Sequence, residues 1–238
     1  LFSNILIILA FRILVIRNIR IGNRQKTLEL EQKLFRSRMN PHFIFNSLSS
    51  IQYFVSKNKA FEADAYLSDF AKLMRHVLNH SGEEYISLQK EIETMKYYLQ
   101  LQELRFEYRF SYTFEIDEKL ETEYVLIPPM LTQPFIENAL VHAFDENKEG
   151  NKLFVRYLLK EGFLQVEVED NGIGIDKKRH SEKAEHESFA INITKSRLAQ
   201  LNHRKRNKIY LEIIDLASEA DNLSGTKVSF VVPLKHSM

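Results

Sequence analysis

The chain has no cysteine, which excludes a disulfide framework, thiolate catalysis and zinc or iron–sulfur sites held by sulfur. It also has little surplus charge. Its 33 basic and 32 acidic side chains leave a formal net charge of +1, too weak a field for a generic DNA-binding domain, so no nucleic-acid partner is expected. A Walker A loop is absent, as are the alternating acidic ligands of an EF-hand, which excludes a P-loop nucleotide site and a calcium loop of that kind. There is no internal repeat and no long low-complexity tract. What remains is a chain of 238 residues, 44% hydrophobic and 27% charged, enough to bury a core as one or two compact units.

Residues 1–16 are almost wholly apolar, interrupted by Ser3, Asn4 and Arg12. A signal peptide would place its positive charges first. Here Arg17, Arg20, Arg24 and Lys26 follow the run, the arrangement of a helix leaving a membrane on its cytoplasmic side. The run is shorter than the ~20 residues a span needs, so it reads as the end of a transmembrane helix that begins before this sequence. That anchors the chain at the cytoplasmic (inner) membrane with the remainder in the cytoplasm. A buried or interfacial helix with Arg12 on its polar face is the alternative.

Residues 17–40 carry seven basic and two acidic side chains, with Ile21, Leu28 and Phe35 at every seventh position, the pattern of a helical connector. Beyond Pro41, the residues Ile44, Leu48, Ile51 and Val55 form one helical stripe, while His42, Asn46, Ser49 and Tyr53 fall on another face. A second helix is expected over about 60–79, from Leu67, Phe70, Met74 and Val77, stopped by Ser81 and Gly82. Ser87 is placed to cap a third helix, along which Ile92, Met95, Leu99, Gln102 and Phe106 step by three and four. Residues 41–108 thus read as a helical domain.

Near Tyr108 the period changes, because Phe110, Tyr112, Phe114 and Ile116 alternate with Ser111, Thr113 and Glu115, as in a half-buried strand. Pro128 and Pro129 precede a helix over roughly 130–144, with Pro134 at its opening turns or at a kink. Strands are expected at 153–159 and 163–168, joined by a turn at Glu161 and Gly162. A helix over 189–201 and strands at about 209–214 and 226–232 complete the chain. The fold class is α+β, with an antiparallel or mixed sheet over 109–238 and helices on one of its faces.

Three constellations could carry chemistry. In Asn40-Pro41-His42-Phe43-Ile44-Phe45-Asn46 an imidazole stands at a proline-marked helix start with an amide one turn on. A neutral imidazole is a competent nucleophile, and Asn46 is spaced to orient it or a water. In Phe135-Ile136-Glu137-Asn138-Ala139-Leu140-Val141-His142, residues Asn138 and His142 share one helix face beside the Glu137 carboxylate. An amide oxygen there suits Mg²⁺ bridging nucleotide phosphates, and Glu137 suits general-base work. In Glu169-Asp170-Asn171-Gly172-Ile173-Gly174 two glycines permit close backbone approach to a ligand, and Asp170 offers an acceptor for an exocyclic amine. Taken singly, each admits a plainer reading: a capping or packing histidine, a polar helix stripe, and a hairpin turn.

In this order, the three elements resemble the LytS-type sensor histidine kinases, a helical phosphoacceptor and dimerisation domain followed by a GHKL-type α/β sandwich that binds ATP. The resemblance covers about residues 31–234. It implies His42 as phosphoacceptor, Asn138 as Mg²⁺ ligand within an N-box that also holds Glu137 and His142, and Asp170 with Gly172 and Gly174 as the adenine-binding box. Gly225 and Thr226 resemble the Gly-Thr that opens the last strand, and residues 188–201, with Arg197 and Leu198, resemble the helix after the ATP lid. The resemblance further implies ATP and Mg²⁺, a homodimer, and a response regulator whose aspartate takes the phosphoryl group. Two features depart from the pattern. The lid glycines are missing from Glu187-Ser188-Phe189-Ala190-Ile191, and Val141 and Ala143 stand where lysine and glycine are common. A catalytically weak scaffold or phosphatase, and a GHKL ATPase without histidine phosphorylation, are the rival readings.

Overall fold

The computed structural model describes residues 41–80, 82–144, 149–174, 211–218 and 224–236, with the backbone alone at Pro41, His42 and His142. The chain divides after Ser50 into two compact units, Leu1–Ser50 and Ile51–Met238. The connector at 17–40, the apolar run at 1–16, Ser81 and the helix expected at 189–201 lie outside the described residues. Among the described residues, no helix is long and apolar enough to cross a membrane.

Helix α1 (Pro41–Ser56) opens on a proline, whose fixed φ suits a first helical position. Its stripe residues Leu48 and Val55 are 52% and 60% exposed. Helix α2 (Ala60–His80) buries Ala63, Tyr66, Leu73 and Val77, and the Phe54 ring at the end of α1 lies 5.9 Å from that of Tyr66. A short strand β1 (Ile86–Ser87) leads into α3 (Leu88–Arg105). There the Ser87 hydroxyl accepts the Lys90 N–H at 3.4 Å, satisfying one of the donors that a helix start leaves open. Leu88, Met95, Leu99 and Leu101 are fully buried, and each contributes about 1.5–3 kcal/mol of transfer free energy.

The sheet is mixed. Strand β2 (Phe110–Ile116) lies parallel to β4 (Asn151–Lys160); β5 (Phe163–Asp170), β7 (Thr226–Pro233) and β6 (Leu211–Asp215) then follow across the sheet, each antiparallel to its neighbour. The expected strands are present with boundaries shifted by a few residues. A two-residue strand β3 (Leu126–Ile127) pairs with β1, a piece too short to announce itself by period. Helix α4 (Gln133–Asn138) covers the inner face, its Phe135 ring 5.4 Å from Phe230 of β7. Tyr157 of β4 donates its hydroxyl to Thr132 Oγ1 at 3.2 Å from within the core. Glu107 and Tyr108, where the period changes, both adopt left-handed backbone, with φ of 50° and 60°. Contacts of α3 nevertheless cross this point, since Glu91 bonds to the backbone at 130–132.

Candidate nucleotide site

One end of the sheet gathers the motif residues. Asp170 closes β5 and Thr226 opens β7, and the two are register partners. Asp170 is 5% exposed, and its Oδ1 accepts two backbone N–H groups, from Gly172 at 2.9 Å and from Thr226 at 3.2 Å. Thr226 is 6% exposed, and its Oγ1 is buried with no hydrogen-bond partner among the described residues. A buried hydroxyl in that state marks a place for a missing polar group. A carboxylate beside such a hydroxyl suits the edge of adenine, where an exocyclic amine donates and a ring nitrogen accepts.

Close packing explains the glycines. A β-carbon on Gly172 would fall 2.6 Å from that of Ala143, and one on Gly225, where φ is 126°, would fall 2.7 Å from the carbonyl carbon of Asp170. Gly174 holds φ at 77°, in the left-handed region that favours glycine. Asn171 ties the loop to the start of β4: its side chain accepts the Lys152 N–H at 2.6 Å and donates to the Gly150 carbonyl at 2.9 Å. Nothing in the dipeptide Asn-Gly distinguished this clamp from a turn.

The second wall is α4 and its continuation. Pro134 sits in the opening turn, and the helix passes after Asn138 into a π-helical turn, Ala139–Ala143, closed by the Phe144 N–H on the Ala139 carbonyl at 3.1 Å. Such turns recur at functional sites. Phe135, Ile136, Ala139 and Leu140 face the core, leaving Glu137 and Asn138 half-buried on another side. Gln133 donates to Glu137 Oε1 at 2.9 Å. The Ala143 carbonyl accepts the Ile173 N–H at 3.0 Å, so the end of the N-box and the glycine loop adjoin. Ala143, unusual where glycine is common, fills the space that Gly172 leaves.

The structure thus brings Asp170, Gly172, Gly174, Gly225 and Thr226 together and sets the turn bearing His142 against them. His42 lies in the first turn of α1, and Asn46, one turn on, has its carbonyl bonded by the Ser50 hydroxyl at 2.9 Å. The lid segment, with Ser188, Arg197 and Leu198, lies outside the described residues. Tyr98 and Glu91 of α3 are additional polar residues in this neighbourhood that motif reading did not single out. Burial, with the Glu137 carboxylate nearby, pushes the Tyr98 phenol well above its ordinary value, against a hydrogen bond with Gln102 and the Arg105 charge. Among the described residues, no cluster of three or more His, Asp or Glu could hold a metal unaided.

Two family matches fall along the chain. Residues 30–110 match the family described as histidine kinase, and residues 129–236 match the histidine kinase-, DNA gyrase B- and HSP90-like ATPases. The class is therefore a histidine-kinase helical region joined to an ATPase domain of that type. Sensor protein LytS of Staphylococcus epidermidis is 30% identical over 209 residues, 88% of this chain and 34% of the relative. Sensor protein LytS of Enterococcus faecalis is 35% identical over 63% of this chain and 25% of its own. The sensor histidine kinase/phosphatase LytS of Staphylococcus aureus is 32% identical over 86% of this chain and 34% of its own. The chain belongs to the LytS-type sensor histidine kinase family, and it spans between a quarter and about a third of the length of these relatives.

Proposed function

We propose that this chain is the kinase part of a two-component sensor, taking the γ-phosphoryl group of ATP onto His42 and passing it to an aspartate of a response regulator. The observation that carries this reading is the buried Asp170 carboxylate beside a Thr226 hydroxyl that has no partner among the described residues, a pair suited to adenine, in a chain that also holds a histidine at the first turn of α1. Asp170 and Thr226 hold the base; Gly172, Gly174 and Gly225 let the backbone close around it. Asn138 and His142 meet the phosphate end, with Glu137 as candidate base and Asn46 orienting the acceptor imidazole. Mg²⁺, held by Asn138 together with the phosphates, supplies neutralising charge when bound.

The exposed Leu48 and Val55 on α1 support a homodimer formed through the His42 helices, because an apolar stripe of this kind needs cover. The apolar sequence at 1–16, followed by Arg17, Arg20, Arg24 and Lys26, supports attachment of the kinase to the cytoplasmic membrane. A second activity, removal of the phosphoryl group from the regulator, has support in the S. aureus relative, which is named a kinase/phosphatase.

The test follows ATP consumption and the fate of its γ-phosphate with and without a receiver domain. Label that accumulates on the chain and then moves to the receiver is expected. Free phosphate without labelled protein would favour the simple ATPase, and nucleotide binding without either would favour the scaffold or phosphatase.

A further inference from the structure

The face of α3 that meets the loop before α4 is buried and polar. Glu91 is fully buried. Its Oε2 accepts the Met130 N–H at 2.8 Å, and its Oε1 accepts those of Leu131 at 3.1 Å and Thr132 at 3.3 Å. Met130 holds φ at 57°, and a left-handed residue of this kind turns successive N–H groups into a concave anion seat. An internal carboxylate occupies that seat, 39 residues distant in sequence. Two helical turns along α3, Tyr98 returns to the same side and lies within the field of Glu137.

Residues 130–132 are the lead-in to α4, which carries Glu137 and Asn138. The two ends of the site are therefore held by different devices. Asp170 and Thr226 are fixed by strand register, whereas the start of α4 is fixed by a side chain of α3. On another face, α3 packs on α2, with the Tyr97 ring 5.2 Å from His76.

We infer that Glu91 is a positioning residue for the phosphate end of the nucleotide site, setting through the 130–132 loop where Glu137 and Asn138 stand. This rests on the reading of α4 as the helix that meets Mg²⁺ and phosphates. A rigid connection of this kind makes the placement of α4 follow the placement of α3.

The test is Glu91→Gln in the full chain. Glutamine keeps the volume but replaces one acceptor oxygen by an NH₂ group that cannot accept. ATP binding without Mg²⁺, which reads the adenine end, should stay within about twofold. The turnover number for histidine phosphorylation should fall about tenfold or more, the scale of losing one hydrogen bond to a charged group, and the half-saturating Mg²⁺ concentration should rise. Glu91→Asp, which keeps the charge on a shorter arm, should give the same split and guards against a glutamine variant that does not fold. Equal losses in Mg²⁺-free binding and turnover would reduce Glu91 to general core support and overturn the inference. Unimpaired turnover in the variants, beside an active wild-type chain, would overturn it alone. A wild-type chain that binds no nucleotide would overturn the underlying reading, and this inference with it.

Discussion

Asp170 and Thr226 meet through two layers of structure: they are register partners across β5 and β7, and the Thr226 N–H donates to Asp170 Oδ1 at 3.2 Å. The Thr226 hydroxyl, buried in the same place, has no partner among the described residues. Leaving such a group unpaired costs about 1–3 kcal/mol, a cost that a ligand able to bond it would offset. Thr226→Val keeps the shape and the backbone bond while removing the hydroxyl. Without nucleotide, the variant should unfold at a higher temperature than wild type, by about 1 kcal/mol of added stability, yet bind ATP about tenfold more weakly. Thermal unfolding and calorimetric titration of the same preparation check both directions. A variant that binds ATP as well as wild type would remove Thr226 from the site.

Gly172 and Ala143 impose a steric limit. With a β-carbon at 172 only 2.6 Å from that of Ala143, Gly172→Ala must push the glycine loop away from the end of the N-box turn. The expected cost is about 1–3 kcal/mol of stability, as for other overpacked sites, with ATP affinity reduced at least tenfold. The backbone carbonyl of Ala143 is at least as near as its β-carbon, its carbon also at 2.6 Å, so adding Ala143→Gly to Gly172→Ala should recover little of the lost binding. Full rescue by the second change would place the clash on the Ala143 side chain alone.

His76 on α2 supplies a pH dependence. Burial lowers its pKa, the Glu93 carboxylate opposes this, and His80, Arg75 and Lys90 add to the lowering; its Nδ1 is buried with no partner among the described residues. With the folded value below the unfolded value of 6.5, the unfolded chain binds more protons between the two. Stability therefore rises with pH across that window, is complete above about pH 6.5 and declines as pH falls through the folded value. Urea midpoints at pH 7.5 and 5 should differ more in wild type than in His76→Gln. Equal declines would assign the dependence to other groups.

Much of this fold is legible because side-chain period survives folding. Strand β2 announces itself by alternation from Phe110 to Ile116, and α3 by its stripe and the Ser87 cap. The proposed nucleotide end is marked in the sequence by the segments at 135–142 and 169–174, neither of which is decisive by itself. Glu91 is not legible: a glutamate on a helix reads as solvated, since charged residues are almost never buried unpaired, and its partners are backbone amides with no signature in residue type. The same limit hides where α3 packs. Its period marks a helix, but only contacts made across residue 108 tie it to the loop at 130–132. The short pair of β1 with β3 and the π-helical turn after Asn138 escape notice because neither is long enough to show a repeat.

The central claim is that His42 receives phosphate from a nucleotide bound at Asp170. The most direct measurement is incubation of the purified chain with γ-labelled ATP and Mg²⁺, followed by acid and alkali treatment of the labelled protein, beside His42→Gln. The account predicts label that is lost in acid, kept in alkali and absent from His42→Gln, while that variant still binds ATP. Full labelling of His42→Gln, or label that survives acid, would contradict it.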